Sequence, residues 1–228
     1  MEKINDYFTN GIIVQAFQAE RNIAIWKAIG NKVEILKTQT KEVKKLYSFI
    51  QISAQTNFIL YTAKLFDNPD KNYPTRCILS FLELIKNNSN SLPQIIEVPN
   101  TIKLLKEYDC PAELIQAVNT NDITIFPLEF YQYYYKKYNS DVIQGKIKEV
   151  KYIRNKFIAH NENILNSQNL ELKIVEDLLN FALEIIAIFG IAYDSTLYSF
   201  NGKSILTENV NHDIYFILQE LNKLPTNN

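Results

Sequence analysis

Leu178-Leu179-Asn180-Phe181-Ala182-Leu183-Glu184-Ile185-Ile186-Ala187-Ile188-Phe189-Gly190-Ile191-Ala192-Tyr193 is the most apolar run of the chain. Asn180 and Glu184 interrupt it, so it falls short of the roughly 18 unbroken apolar residues expected of a membrane span. It reads as a core helix. Begun at about residue 170, that helix sets Ile174, Leu178, Phe181, Ile185, Ile188 and Phe189 inward at helical spacing. Gly190 either caps it or is tolerated inside it.

The same period returns on both sides of this helix. A first N-terminal helix carries Ile13, Phe17, Ala24, Ala28 and Val33, with Ile25 and Ile29 beside them, and bends or stops at Gly30-Asn31. A second spans residues 40–66 with Leu46, Phe49, Ile50, Ala54, Phe58, Tyr61 and Leu65 on its apolar face. Asp67-Asn68-Pro69-Asp70 ends it, because proline cannot continue the hydrogen-bond ladder and Asn and Asp favour turns. A third covers 74–86, with Pro74 suited to its first turn. Residues 87–100 read as a loop, followed by short helices at 101–108 and 111–118. Pro127 opens a long helix through a tyrosine-rich stretch. Asn139-Ser140-Asp141 breaks it and caps the next, which runs over 141–160. Residues 161–169 form a polar loop, and a short helix at 213–224 closes the chain.

These helices predict one all-α domain over the 228 residues, a helical bundle with 87–126 as an irregular insertion and 200–228 as a C-terminal extension. Five glycines and seven prolines are too few for a turn-rich β sandwich or barrel. Twenty-four Lys and Arg nearly cancel 25 Asp and Glu, and a net charge of -1 argues against wholesale polyanion binding while leaving room for a local basic patch. Cys77 and Cys110 are too few for a disulfide scaffold and read as reduced thiols. The start, Met1-Glu2-Lys3-Ile4-Asn5-Asp6, does not have the pattern of a signal peptide, so the expected location is the cytoplasm, with no membrane partner.

Several chemistries fail on counting. Gly11, Gly30, Gly145, Gly190 and Gly202 are too far apart for a Gly-x-Gly-x-x-Gly phosphate loop. Gly202-Lys203-Ser204 ends like a Walker A motif, but Leu197 stands where its upstream glycine belongs. No Gly-x-Ser-x-Gly elbow occurs, and two His and two Cys, all scattered, supply no zinc site. Asp67 and Asp70 suit a turn better than a metal, so neither metal nor cofactor is expected.

One segment does suggest chemistry: Arg154-Asn155-Lys156-Phe157-Ile158-Ala159-His160. On a regular helix Ile147, Val150, Phe157 and Ile158 form part of a buried stripe, Arg154 borders it, and Lys156 shares a face with His160. Strand scission of RNA by its own 2′-hydroxyl needs an acid or base near neutrality, which histidine supplies, and donors for the charge growing on phosphate, which the arginine fork supplies. Between residues 136 and 160 there are seven Lys or Arg (136, 137, 146, 148, 151, 154, 156) against Asp141 and Glu149, a footprint for a phosphate backbone. The same residues also fit a solvated basic face with a histidine capping a helix end. The run Phe130-Tyr131-Gln132-Tyr133-Tyr134-Tyr135-Lys136-Lys137-Tyr138 suits base stacking less well than lining a bundle or a dimer interface.

Arg154-Asn155 followed by His160 resembles the Arg–His signature of HEPN domains, and Tyr152 to His160 resembles its abortive-infection U-type (AbiU-like) branch. Ala63-Lys64-Leu65-Phe66-Asp67, with Ile78-Leu79-Ser80-Phe81-Leu82 after it, is similar to a second landmark of that branch, with Lys64 where arginine is usual. The resemblance covers about residues 10–195. It implies a helical bundle with metal-independent endoribonuclease activity in phage defence or as a toxin. It also implies a homodimer in which two motifs share one cleft, RNA as substrate, and an antitoxin protein as a further partner. Carried over, His160 is the acid or base, Arg154 binds the scissile phosphate, and Asn155 orients the pair or the phosphate. Lys156, Lys151 and Lys64 are weaker substrate-binding candidates. For Lys64 and Asp67 a helix end, a turn cap or a buried ion pair with Arg154 is the favoured role. Glu162 stands where some HEPN toxins carry a tyrosine modified by a partner enzyme, so that regulation is not implied. His212 lies outside the resemblance and reads as surface or packing. A non-catalytic interaction module, or one that binds RNA or a nucleotide without cutting, is the alternative.

Overall fold

The helix α10 (Leu172–Tyr193) is the axis of the molecule, and from Phe181 to Tyr193 every one of its residues is buried. The sequence predicts one inward face, but a helix apolar all round finds neighbours all round. Gly190 sits inside it because the Tyr198 ring packs where its side chain would be: a Cβ there would lie 2.5 Å from the ring.

The computed structural model describes residues 1–70, 72, 74–120, 122–159, 171–200, 203, 204, 213, 216, 217 and 219. Ahead of α10, α1 (Glu2–Tyr7) passes through a π-helical stretch, Phe8–Ile13, into α2 (Val14–Gly30), and α3 (Val33–Lys37) follows. The longest helix, α4 (Lys41–Leu65), runs against α2. Next come α5 (Ile78–Asn87), α6 (Val98–Glu107), α7 (Ala112–Val118), α8 (Ile125–Tyr138) and α9 (Asp141–Ile153), which continues as a second π-helical stretch, Arg154–Ala159. The α5 and α7 helices pack on α8, α6 packs on α10, and α9 contacts both α4 and α10. After α10 only a two-residue antiparallel hairpin, β1 (Ser199–Phe200) with β2 (Lys203–Ser204), adds strand among the described residues. The fold is all-α. From the 87–126 stretch, Leu92, Leu104, Leu105, Leu114 and Val118 enter the same core cluster as α10.

Three element boundaries differ from the sequence expectation. The third helix starts at Ile78, with Cys77 as its N-cap, so Pro74 lies in the extended lead-in. The 87–100 stretch holds a short 3₁₀ turn, Ser89–Ser91, and already begins α6 at Val98. The tyrosine-rich helix starts at Ile125, two residues before Pro127. The apolar faces shift as well. Leu46 and Phe49, expected inside, are 56 % and 68 % exposed, and Val33 is exposed too. The buried face of α4 lies in its second half, from Ala54 to Leu65. Its first half is anchored by Tyr47 on Ile29, in a small cluster apart from the main core. The helix expected at 213–224 lies largely outside the described residues.

Candidate functional site

The site forms where the end of α4 meets the end of α9. Ser140 caps α9 by accepting from the Ile143 amide at 3.4 Å, and Ile143, Ile147, Val150 and Ile153 bury one stripe of it. Lys146, Lys151 and Arg154 border that stripe. Facing them, Phe66 closes α4. Its ring is 1 % exposed and lies 6.1 Å from both the Tyr138 and the Phe181 rings. This anchor fixes the turn that follows, and two consecutive residues of that turn reach α9.

Asp67 Oδ1 accepts from Arg154 Nη1 at 2.7 Å, and the two side chains are 30 % and 24 % exposed. The ion pair expected for Asp67 forms, but it is part-buried where a buried pair is expected. Arg154 Nε donates to the Asn155 Oδ1 at 3.1 Å, so the guanidinium is held on two edges. One turn earlier on α9, Lys151 Nζ donates to Asn68 Oδ1 at 3.2 Å. Burial pulls the Lys151 ammonium below its ordinary 10.5; the nearby Asp67 carboxylate resists the shift and the Arg154 guanidinium adds to it. Beneath the pair, burial, aided by Cys77 and Asp67, pushes the Tyr138 hydroxyl up to about 12, so it stays protonated. Asp70 accepts from the Asn72 amide at 2.7 Å and serves the turn.

The structure therefore brings Lys151, Arg154 and Asn155 together with Asp67 and Asn68. Lys64 is exposed on α4 with its ammonium 5.2 Å from the Tyr61 ring centroid, and no described contact joins it to Arg154. Lys156 is half-buried on the π stretch. His160 lies outside the described residues, as do 161–169 and His212.

Two sequence expectations are corrected here. First, α9 does not run as a regular helix to residue 160. Its last six described residues, Arg154–Ala159, form a π-helix. That geometry puts an extra residue in each turn, so the α-helical spacing argument that set Lys156 on the face of His160 does not carry through. Single π turns of this kind are rare and frequent at functional sites. Second, the seven-cation stretch is not open along its whole length. Lys137 donates to both Glu184 oxygens, at 2.7 and 2.9 Å, and Lys146 is paired with Asp177 at 2.7 Å.

Burial withdraws most of the tyrosine run from base stacking, leaving Tyr135 39 % exposed. Phe130, Tyr131, Tyr134 and Tyr138 are all buried. Tyr134 donates its hydroxyl to Glu184 and Tyr131 donates to Glu83, each at 2.9 Å. Beside this network, burial pushes the Cys110 thiol up to about 11, which removes it as a nucleophile near neutrality. Sequence reasoning missed Asn68, a neutral turn residue, and Glu184, the one carboxylate in the buried half of α10.

The family model of AbiU2, a HEPN family, matches residues 14–209, from the first residue of α2 past the end of α10. The chain belongs to the AbiU2 family of HEPN domains. No curated protein and no solved structure matches it. The AbiU2 span contains the whole Arg154 cluster and the α4 turn that holds it. Among the described residues, no helix is long and apolar enough to cross a membrane.

Proposed function

We propose that this AbiU2-family chain is a metal-independent endoribonuclease acting in abortive infection or as a toxin. In the reaction, the substrate's 2′-oxygen attacks the adjacent phosphorus and the bond to the 5′-oxygen breaks. A 2′,3′-cyclic phosphate and a 5′-hydroxyl result. The nucleophile belongs to the RNA, so the protein needs only to move protons and steady charge. His160 takes the proton from the 2′-hydroxyl or returns one to the leaving 5′-oxygen. Arg154 binds the non-bridging oxygens as their charge grows, in an orientation set by Asp67 and Asn155. Lys151, Lys156 and Lys64 contact the flanking backbone. Two copies of the chain face their motifs into one cleft, and an antitoxin protein restrains the pair.

The observation that supports this reading best is the pinned Arg154: a partly exposed guanidinium held by two side chains at the mouth of a π turn, in a chain of the AbiU2 family. The same ion pair also favours a second reading, a non-catalytic helical module in which Arg154 is structural. Incubating the protein with RNA in EDTA separates them. His160→Ala is expected to slow cleavage by about 10²–10⁴-fold while melting like the parent. Arg154→Ala should likewise abolish cleavage. Cleavage that persists in both variants removes these residues from the mechanism. A parent that never cleaves, with variants that only melt earlier, supports the interaction module.

A further inference from the structure

Two cations three residues apart on a helix repel one another, and the repulsion grows as they leave water. Lys151 and Arg154 are placed this way, yet only one carboxylate, Asp67, is hydrogen-bonded to the pair among the described residues. The half-buried Lys151 ammonium receives a neutral amide oxygen, that of Asn68, where Lys146 and Lys137 each receive a carboxylate. A lysine kept for packing would pair with a carboxylate or reach into water. Both cations also offer more donors than their contacts with described residues use. An ammonium offers three N–H groups and a guanidinium five. Contacts with described residues use one of Lys151 and two of Arg154. Among the described residues, two part-buried cations share one carboxylate, and side chains fixed in advance in this way suit a ligand that brings more than one negative charge.

We propose that Lys151 and Arg154 form a two-point clamp for consecutive phosphates of one RNA strand. Asp67 and Asn68 are the positioning residues that set its spacing. Side chains one helical turn apart, about 5–6 Å between their Cβ atoms, are spaced on the scale of neighbouring phosphates along a strand. Because Asp67 and Asn68 are adjacent in a turn anchored by Phe66, the two cations keep their separation before RNA arrives. The substrate class is thus a polynucleotide strand, and a mononucleotide fills only half of the clamp. This inference rests on the ribonuclease reading and adds to it the element that selects a strand.

The test uses full-length His160→Ala protein, so that RNA is bound without being cut, and follows a short fluorescent oligouridylate by anisotropy over a range of salt. Adding Lys151→Gln is expected to weaken binding and to lower the slope of log affinity against log salt by about 0.7, the value for one phosphate contact on a single strand. Lys151→Arg should keep the slope. Asn68→Ala should weaken binding with the slope unchanged, because the charge remains while its placement is lost. Uridine 3′-monophosphate should compete equally well in the presence or absence of Lys151. An unchanged slope in Lys151→Gln, from a parent that cleaves RNA, overturns the clamp and leaves the ribonuclease standing. An Asn68→Ala protein that binds like its parent removes the positioning role. A parent chain that neither binds nor cleaves RNA overturns both.

Discussion

Asp67 neutralises Arg154 and also aims it. With the pair 24–30 % exposed, the carboxylate is desolvated enough to hold one geometry and open enough for the guanidinium to meet a ligand. Removing it leaves a part-buried cation with the Asn155 amide oxygen but without its carboxylate. Asp67→Ala is expected to lower stability by about 1–2 kcal/mol, and Asp67→Asn by less, since the amide oxygen still accepts from Nη1. Urea unfolding measures both, and equal losses would show that the acceptor at residue 67 is not what matters. The Asp67–Arg154 pair is legible in the sequence because both residues fall in recognisable motifs and carry opposite charge. The Lys151–Asn68 contact is not. It joins residues 83 apart in sequence through a neutral amide, so neither charge patterning nor spacing signals it.

Among the elements, α4 shows how far periodicity can be trusted. Its helical span, residues 40–66 by periodicity and Lys41–Leu65 in the fold, is set by local chemistry: Thr40 accepts from the Val43 amide at the start, and Asp67-Asn68-Pro69 stops it. Which apolar residues are covered depends on which other helices reach them, and that is not local. Phe49, 68 % exposed, and Phe66, 1 % exposed, are identical in type and opposite in consequence. Phe49→Ser is expected to change stability by less than about 0.5 kcal/mol, whereas Phe66→Ala should cost about 3–5 kcal/mol and release the turn that carries Asp67 and Asn68. A denaturation midpoint for Phe49→Ser as low as that for Phe66→Ala would contradict this division of α4. The π stretch at Arg154–Ala159 is illegible for a different reason. A widened turn is chosen by packing at the helix end, and no residue pattern distinguishes it from a continuing α-helix.

For the molecule as a whole, α10 organises the fold and charge pairing hides cations that the sequence suggests are open. The net charge of -1 gives no global attraction to RNA, so the proposed binding has to be local. Lys137 and Lys146 are tied to carboxylates of α10, which leaves the cluster at Arg154 as the cationic feature set on a turn and a π-helix. The all-α class is legible from composition and period. The family is legible from two short motifs in the right order, and the AbiU2 match over residues 14–209 agrees with it. In the proposed reaction the chain cuts RNA by using the substrate's own 2′-hydroxyl. End-group analysis of RNA incubated with the wild-type protein in EDTA tests this most directly. The expected ends are 5′-hydroxyl and 2′,3′-cyclic phosphate. Fragments ending in 5′-phosphate and 3′-hydroxyl, or RNA left intact, would contradict it.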